Sequence, residues 1–250
     1  MTTLNGRNAL VIGGSSGIGK ATVHALVADG ALVTAVARGA DRLASVAAEV
    51  GDGLTIRSGD ASDEAFVNTL LREQMPDLLV MAAGVMPHMA RIDEFDWNSF
   101  SEAWNGDLKA TFHLVKQALT LPLRPGSMVV IVSSGAALRG SPMAGGYAGA
   151  KRMQWLLASY AQAQSDVRKL GLRFVAVVPE QLLEGTAIGT YASTTYATLQ
   201  GITAEAFMAR YEKPLDAGKV ADAILGVLRG EFDASVTAIA VNGTRVEALK

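Results

Sequence analysis

Seven short runs of apolar, often β-branched residues alternate along the chain with longer segments whose apolar positions recur at helical spacing. The short runs show little alternation of apolar and polar residues, which is typical of parallel strands covered by helices on both faces. Repeated strand–helix–strand units predict a single α/β domain over residues 1–250, a Rossmann-type, doubly wound parallel sheet with right-handed crossovers. The predicted strands are 8–12, 31–37, 54–58, 78–82, 127–133, 172–178 and 235–241, and the predicted helices are 19–29, 42–50, 63–74, 95–120, 147–169 and 219–228.

One stretch, residues 180–212, follows neither pattern and is rich in Thr, Ala, Gly and Tyr. It comes directly after the sixth predicted strand, and ligands of open α/β sheets bind beyond the carboxyl ends of the strands. Two interpretations stay open at this point: a lid over a substrate site, or an ordinary surface loop that includes a helix.

The composition narrows the classes of function. Among 250 residues, 22 are basic and 24 are acidic, the net charge is −2, and no basic stripe stands out. Nucleic acids and anionic membranes are therefore not expected as partners. The chain has no cysteine and only three scattered histidines, so we expect no disulfide, no thiolate site and no catalytic metal. No apolar stretch approaches the roughly 18 residues that span a bilayer and no signal sequence is evident, so a cytoplasmic protein is expected.

A glycine-rich turn, Gly-Gly-Ser-Ser-Gly-Ile-Gly over residues 13–19, follows the first predicted strand and opens a helix. Gly13 permits a tight turn, Gly17 lets the backbone approach a pyrophosphate, and Gly19 lets the helix pack close to the sheet. The free N–H groups and the positive end of the helix dipole would then face the phosphates, with Ser15 and Ser16 as further donors. Such a turn alone can be purely structural, but its place in the alternating pattern favours dinucleotide binding.

The same turn also fits a second class of site, since Gly13, Ser15 and Gly17 match the nucleophile elbow of serine hydrolases. That chemistry needs an acidic residue and then a histidine base further along the chain. The last histidine is His113, and more than half of the chain follows it. Because the elbow would also lie on the first strand, with no sheet built before it, the hydrolase is the least favoured alternative.

Arg38 ends the second predicted strand, about twenty residues beyond Gly19. The residue at this place usually contacts the adenosine ribose, and an acidic side chain there would bind the 2′-hydroxyl of NAD and repel a 2′-phosphate. The guanidinium of Arg38 can instead pair with a phosphate dianion, and Arg42 could assist. We therefore expect NADP(H) in preference to NAD(H), with a merely solvated loop arginine as the alternative.

Tyr147 and Lys151 begin the predicted helix 147–169 and, four residues apart, lie on the same helical face. A phenol is a poor base at neutral pH because its free pKa is near ~10, but a neighbouring ammonium favours the phenolate and assists proton transfer. Ser134 ends the fifth predicted strand, where its hydroxyl could hold a substrate oxygen. A surface tyrosine and a snorkelling lysine would be more ordinary for this spacing alone, so the indication of catalysis depends on all three motifs together.

With these motifs, the chain resembles the short-chain dehydrogenase/reductase family over nearly its whole length. Residues 12–19 resemble the family's Thr-Gly-x-x-x-Gly-x-Gly cofactor motif, and Ser134 precedes Tyr147 by thirteen residues (147 − 134), as the catalytic serine commonly does. Asn105 matches the helix asparagine that supports a proton-relay water. The resemblance implies a catalytic tetrad of Asn105, Ser134, Tyr147 and Lys151. In that scheme Tyr147 is the acid/base, Ser134 orients the substrate oxygen, and Lys151 also binds the nicotinamide ribose.

The resemblance also implies which residues contact the cofactor. Asp60 matches the residue that meets the adenine amino group, although a turn or helix-capping aspartate would be equally ordinary there. Ala83 and Gly84 would bring their backbone close to the cofactor. The full implied set is Gly13, Ser15, Ser16, Gly17, Ile18, Gly19, Arg38, Asp60, Ala61, Ala83, Gly84, Tyr147, Lys151, Pro179 and Leu182.

Three places depart from the family pattern. Ile12 stands where the leading threonine is usual, which removes a hydroxyl that ties the turn to neighbouring backbone. Residues 81–84 are Met-Ala-Ala-Gly in place of Asn-Asn-Ala-Gly, so side-chain bonds that brace the central sheet are absent. Glu180 stands where a glycine is familiar, which puts a carboxylate near the expected nicotinamide and leaves the contacts of Leu182 and Thr186 open.

The residues expected near the reacting atoms are mostly apolar: Val85, Met86, Ala136, Leu138 and Met143. They favour an uncharged, fairly hydrophobic ketone or secondary alcohol as the partner of NADP(H) in hydride transfer. A nonenzymatic NADP(H)-binding redox sensor of the same fold is the alternative, although a sensor has no need to keep an intact serine, tyrosine and lysine. The resemblance further implies a homodimer or a homotetramer.

Overall fold

In the computed structural model, which describes residues 3–121 and 123–249, eight strands form one sheet. They are β1 (Asn8–Ile12), β2 (Leu32–Ala37), β3 (Leu54–Ser58), β4 (Leu78–Met81), β5 (Met128–Val132), β6 (Arg173–Pro179), β7 (Ala238–Val241) and β8 (Val246–Ala248). Their order across the sheet is β3-β2-β1-β4-β5-β6-β7-β8. Strands β1 to β7 are parallel, and the order reverses between β1 and β4, so the predicted doubly wound, Rossmann-type fold is confirmed.

Ten α-helices in the same described part of the chain connect and cover these strands. They are α1 (Gly17–Ala28), α2 (Ala40–Val50), α3 (Glu64–Gln74), α4 (Trp97–Ala103), α5 (Lys109–Thr120), α6 (Ala136–Arg139), α7 (Tyr147–Val167), α8 (Ala187–Gln200), α9 (Ala204–Met208) and α10 (Ala217–Leu228). A 3₁₀ turn spans Ile92–Glu94, and a π-helical segment, Trp104–Leu108, joins α4 to α5.

Both faces of the central strands are buried, and strand β1 shows how. Ala9 and Val11 belong to one apolar layer, in which α1, α2 and α10 pack on the sheet. Leu10 and Ile12 point the other way, into a second layer with α3, α5 and α7. Because neighbouring residues of one strand enter two different cores, the strand cannot alternate apolar with polar positions.

The predicted helix 95–120 is not continuous. Asp96 caps a new helix, since its carboxylate accepts a hydrogen bond of 2.8 Å from the backbone N–H of Ser99, and α4 starts at Trp97. The π-helical segment then interrupts the helix near Gly106 before α5 begins. A π turn adds a residue to one helical turn and so re-aims the side chains within it, which apolar periodicity alone does not reveal.

The sheet also has an edge that the prediction missed. Strand β8, which was not predicted, pairs antiparallel with β7 at this edge of the otherwise parallel sheet. All three residues of β8 are exposed and one is charged, so no apolar run marks this strand in the sequence. Strand β7 itself begins at Ala238, three residues later than predicted, because a turn at Asp233 precedes it.

The segment 180–212 contains two helices. The Thr186 side chain caps α8 and the Thr203 side chain caps α9, each by accepting a backbone N–H of its first turn at 3.1 Å. Nowhere in residues 3–121 and 123–249 is there a helix with both the length and the apolar character needed to cross a membrane.

Candidate active site

A cavity of about 1280 Å³ opens at the carboxyl edge of the parallel strands. The strand register brings the ends of β1, β4, β5 and β6 to this same edge. The loops that follow these strands line the cavity, together with the start of α7 and parts of α8 and α9. This is the place where open α/β sheets bind ligands.

The glycine turn is held tightly against the sheet. Gly13 has a φ of +89°, and a Cβ there would lie 2.4 Å from the backbone nitrogen of Ala83. A Cβ at Gly19 would lie 2.1 Å from the carbonyl oxygen of Gly13. Gly19 therefore acts by close packing, as predicted, and it does not itself line the cavity.

The outer part of the turn faces open space. Gly17, with a φ of +51°, has only the Thr186 methyl group, at 3.8 Å, near the position of a Cβ. Ser16 is the N-cap of α1, and its side chain makes no capping bond, in contrast to Asp63 at the start of α3. The first N–H groups of α1 thus stay available to a ligand, and the turn fits a pyrophosphate. Gly13, Ser15, Ser16, Gly17 and Ile18 all line the cavity.

The opposite end of the cavity carries the residues predicted to meet the adenosine. Arg38, Arg42, Asp60 and Ala61 line it. The Asp60 carboxylate accepts a 2.8 Å hydrogen bond from the backbone N–H of Ser62. This bond holds the pKa of Asp60 below its usual value, and the charge of Arg38 acts in the same direction. Asp60 therefore shapes its own turn as well as the cavity wall.

Ser134, in the loop after β5, and Tyr147 and Lys151, at the start of α7, all line the cavity. The Lys151 Nζ lies 5.4 Å from the centre of the Tyr147 ring. The hydroxyl of the neighbouring Ser133 donates a 2.7 Å hydrogen bond to the carbonyl oxygen of Lys151, which fastens the first turn of α7 to β5.

Glycines let a helix approach the start of α7. A Cβ at Gly146 would lie 2.3 Å from the carbonyl oxygen of Phe100, and one at Gly149 would lie 3.0 Å from the Trp104 ring. The indole N–H of Trp104 donates a 2.9 Å hydrogen bond to the carbonyl oxygen of Gly146. This contact fixes Tyr147 between the α4 region and the cavity.

The fourth residue of the implied tetrad is placed differently. Asn105 lines the cavity but is exposed, and its amide donates a 3.1 Å hydrogen bond to the Ser101 hydroxyl. The side chain that reaches Lys151 is Asp107, whose Oδ2 lies 2.9 Å from the Lys151 Nζ. The structure therefore pairs Lys151 with Asp107, while Asn105 lines the same cavity without reaching Lys151.

Asp107 was missed because no local motif marks it. It lies 44 residues before Lys151 (151 − 107), and the π-helical segment turns its side chain inward. The one sequence feature that could have indicated Asp107 is its position on the predicted helix 95–120, an acidic residue four positions before Thr111. In the fold, the Thr111 hydroxyl donates a 2.8 Å hydrogen bond to the Asp107 carbonyl oxygen.

Residues 7–194 match the family model described as short chain dehydrogenase. The chain belongs to the short-chain dehydrogenase family. The resemblance found in the motifs is thereby confirmed, and the chain is a member of a family of oxidoreductases.

Relatives within this family differ in what their names say they act on. The 2,5-dichloro-2,5-cyclohexadiene-1,4-diol dehydrogenase of Sphingobium indicum is 33% identical over 194 residues, 72% of this chain and 74% of that protein. The 2-dehydro-3-deoxy-L-rhamnonate dehydrogenase (NAD(+)) of Sphingomonas sp. is 29% identical over 152 residues, which are 58% of this chain and 61% of that protein. The match thus spans less than two thirds of the latter relative's length.

Solved structures agree with the fold over nearly the whole chain. A short chain dehydrogenase/reductase family protein superposes with a TM-score of 0.79 at 26% identity, covering 96% of this chain and 97% of that one. Levodione reductase superposes with a TM-score of 0.85 over the same shares, at 22% identity, and this second likeness supports the fold alone.

Glu180 replaces the glycine that is familiar in the family, and its side chain is held by polar contacts. Its carboxylate accepts a 2.7 Å hydrogen bond from the Asn242 amide, and Arg139 and Arg245 lie 3.6 and 3.8 Å away. Its backbone also presses on the loop after β5, because a Cβ at Gly135 would lie 2.8 Å from the Glu180 carbonyl oxygen. The Glu180 carboxylate is therefore directed to the β7–β8 turn and to Arg139.

The segment 180–212 forms one wall of the cavity. Leu182 and Thr186 line it, as does Pro179 at the end of β6. The Tyr196 hydroxyl on α8 makes a 2.6 Å hydrogen bond with the Ser141 hydroxyl across the cavity mouth.

The apolar residues predicted near the reacting atoms are only partly on the cavity wall. Val85, Met86 and Ala136 line it, whereas Leu138 and Met143 do not. Met89 lines it too. Among the described residues, no group of three or more His, Asp or Glu side chains could hold a metal ion.

Proposed function

We propose that this short-chain dehydrogenase is an NADP(H)-dependent oxidoreductase that interconverts a ketone and a secondary alcohol. The observation that carries the proposal is one continuous cavity, with an open helix N-terminus at the glycine turn and Ser134, Tyr147 and Lys151 on its wall. A nucleotide site alone would need only the turn. The three side chains supply groups for proton transfer.

Each side chain has a distinct role in the proposed reaction. The nicotinamide, when bound, supplies or accepts the hydride. Tyr147 donates a proton to the substrate oxygen in reduction and accepts it in oxidation. The Ser134 hydroxyl orients that oxygen by a hydrogen bond, and the Lys151 ammonium stabilises negative charge near it.

The preference for NADP(H) is supported by two cations in the adenosine part of the cavity. Arg38 and Arg42 line the wall after β2, and within residues 3–121 and 123–249 neither forms an ion pair with a carboxylate. A 2′-phosphate dianion would give them a partner. The name of one relative specifies NAD(+), so the preference for NADP(H) needs its own test. The test compares kcat/KM for the two cofactors. A higher kcat/KM with NAD(H) would contradict the proposed preference.

The substrate part of the cavity supports an uncharged, apolar compound. Its wall carries Val85, Met86, Met89, Ile188 and Phe207. A cyclic diol named for the Sphingobium relative has this character, whereas a sugar acid, named for the Sphingomonas relative, does not. We also propose a homodimer or homotetramer, in line with the family, which light scattering coupled to size-exclusion chromatography would measure.

The decisive assay is oxidation of NADPH with a panel of apolar, acidic and sugar carbonyls, and reduction of NADP⁺ with the matching alcohols. We expect turnover of apolar ketones and its loss in Tyr147→Phe, with cofactor affinity retained. Tight NADPH binding without turnover of any carbonyl would instead favour the nonenzymatic sensor, and turnover of acidic substrates alone would contradict the apolar substrate class.

A further inference from the structure

Asp107 is the most deeply buried carboxylate at the site, with 0% of its side chain exposed. Its Oδ1 accepts a 2.7 Å hydrogen bond from the backbone N–H of Val85, in the loop after β4. Its Oδ2 lies 2.9 Å from the Lys151 Nζ, on α7. The Asp107 side chain thus joins the π-helical segment to two other elements, each through a separate oxygen.

A carboxylate suits this place better than an amide. The Val85 N–H donates to one carboxylate oxygen and the Lys151 ammonium lies 2.9 Å from the other, whereas an asparagine would offer one acceptor oxygen and an NH₂ group that donates. The backbone around Asp107 is also fixed, because its carbonyl oxygen accepts hydrogen bonds from the Thr111 hydroxyl and the Gln154 amide. Hydrogen bonds therefore hold the Asp107 backbone and its Oδ1, while its Oδ2 is held by the ion pair with Lys151.

The contact also favours the charged form of Lys151, whose side chain is 7% exposed. Burial alone would lower the pKa of Lys151, but the negative charge of Asp107 and the contact with it outweigh burial and raise that pKa above its usual value. Lys151 is thus an ammonium next to a carboxylate, and the two charges largely cancel for a group a few ångströms away.

Tyr147 is such a group, with its ring centre 5.4 Å from the Lys151 Nζ. A lone buried ammonium would favour the phenolate, and a carboxylate beside that ammonium opposes the effect. Asp107 approaches from the π-helical segment and Lys151 from α7. The other charged side chains that line the cavity are Arg38, Arg42, Asp60, Glu102, Arg210 and the paired Arg139 and Glu180.

We propose that Asp107 is a positioning residue that offsets the charge of Lys151 and so keeps Tyr147 a proton-donating phenol up to alkaline pH, which favours carbonyl reduction at neutral pH. The proposal rests on the proposed function. In the step concerned, a hydride adds to the carbonyl carbon, the C=O π electrons move to oxygen, and that oxygen takes the Tyr147 proton. The carbonyl is reduced to an alcohol, and NADPH is oxidised to NADP⁺.

The first test compares the wild type with Asp107→Asn in the pH profile of kcat/KM for carbonyl reduction. We expect the alkaline limb of Asp107→Asn to move to lower pH by about one unit or more, because the Lys151 charge is no longer opposed. Glu73→Gln is the matched control: it also removes one carboxylate from an ion pair, here with Arg57 at the protein surface, and its profile should stay unchanged. No shift, or a shift to higher pH, in Asp107→Asn would overturn the proposal.

The second test needs neither cofactor nor turnover. The ultraviolet absorbance of tyrosinate is followed against pH, and each protein is compared with the same protein carrying Tyr147→Phe, so that the difference reports one of the five tyrosines. Asp107→Asn should ionise at Tyr147 about one pH unit or more below the wild type. If the wild type shows no oxidoreductase activity, the proposed function fails while this titration still decides the charge claim.

A double variant covers the case in which Asp107→Asn does not fold. Asp107→Asn/Lys151→Met removes both buried charges, a change that folded proteins often tolerate better than the loss of one partner. If the two charges largely cancel, Tyr147 in the double variant ionises within about one pH unit of the wild type. A larger move toward alkaline pH would mean that Lys151 acts unopposed, and it would overturn the proposal.

Discussion

The cofactor half and the substrate half of the cavity are built on different principles. The cofactor half uses backbone: a glycine turn pressed against Ala83 and a helix N-terminus left open at Ser16. The substrate half uses side chains that meet over long distances in sequence, such as Asp107 with Lys151 and Ser141 with Tyr196. A binding site formed by backbone atoms tolerates few substitutions, and one short sequence motif encodes it. In a site formed by side chains, each residue can be substituted separately.

The largest expected effect lies in the substrate half. Tyr147→Phe removes the hydroxyl that transfers the proton and leaves the ring packed against Lys151. We expect kcat to fall roughly 100- to 10,000-fold, with the Kd of NADPH nearly unchanged. Steady-state kinetics and a fluorescence titration of NADPH measure the two quantities, and retention of most of kcat would remove Tyr147 from its role.

The next largest effect tests the backbone half. In Gly19→Ala, the new methyl group meets the Gly13 carbonyl oxygen, so the turn must shift. We expect weakened NADPH binding and a free energy of unfolding lower by about 1–3 kcal/mol, measured in urea.

Gly218→Ala is the control for Gly19→Ala. Gly218 is also helical, and a Cβ there meets only one atom, an Asp216 side-chain oxygen at 3.3 Å. Its NADPH affinity should equal that of the wild type. Equal behaviour of the two alanine variants would contradict the close-packing role of Gly19.

A smaller effect is expected on the preference for NADPH over NADH. Arg38→Ala should lower kcat/KM for NADPH about 10- to 100-fold, the value of one charge-assisted hydrogen bond, while kcat/KM for NADH changes little. Arg57→Ala, at a cation that does not line the cavity, provides the control. Equal losses with both cofactors would mean that Arg38 does not contact the 2′-phosphate.

The smallest effect concerns the Glu180 contacts. Glu180→Gln keeps an oxygen for the Asn242 amide and loses the ion pairs with Arg139 and Arg245, whose side chains are 72% and 57% exposed. The Glu180 side chain is 11% exposed, but an ion pair with a mostly exposed arginine contributes little, so we expect the free energy of unfolding to change by less than about 1 kcal/mol. A loss of several kcal/mol would show that Glu180 stabilises this edge through its charge.

The cofactor half of the cavity is also easier to predict from the sequence than the substrate half. Strand β1 and the turn after it follow from local pattern, because two-sided burial and phosphate binding each impose a short, contiguous motif. Residues such as Tyr147 and Lys151 follow too, since helical spacing puts them on one face.

The rest depends on tertiary contacts. The π-helical segment between α4 and α5 lies where Trp104 packs on Gly146 and Gly149. This segment directs Asp107, rather than Asn105, toward Lys151. Strand β8 is exposed and short, so only its pairing with β7 defines it. Neither feature has a period or a motif that one sequence reveals.

The most direct measurement is a crystal structure with NADP⁺ and an apolar ketone analogue bound. The account predicts the pyrophosphate at the N-terminus of α1, and the Tyr147 and Ser134 hydroxyls both at about 3 Å from the analogue's oxygen, beside the nicotinamide. A Tyr147 hydroxyl turned away from both the analogue and the nicotinamide ring would contradict the proposed chemistry.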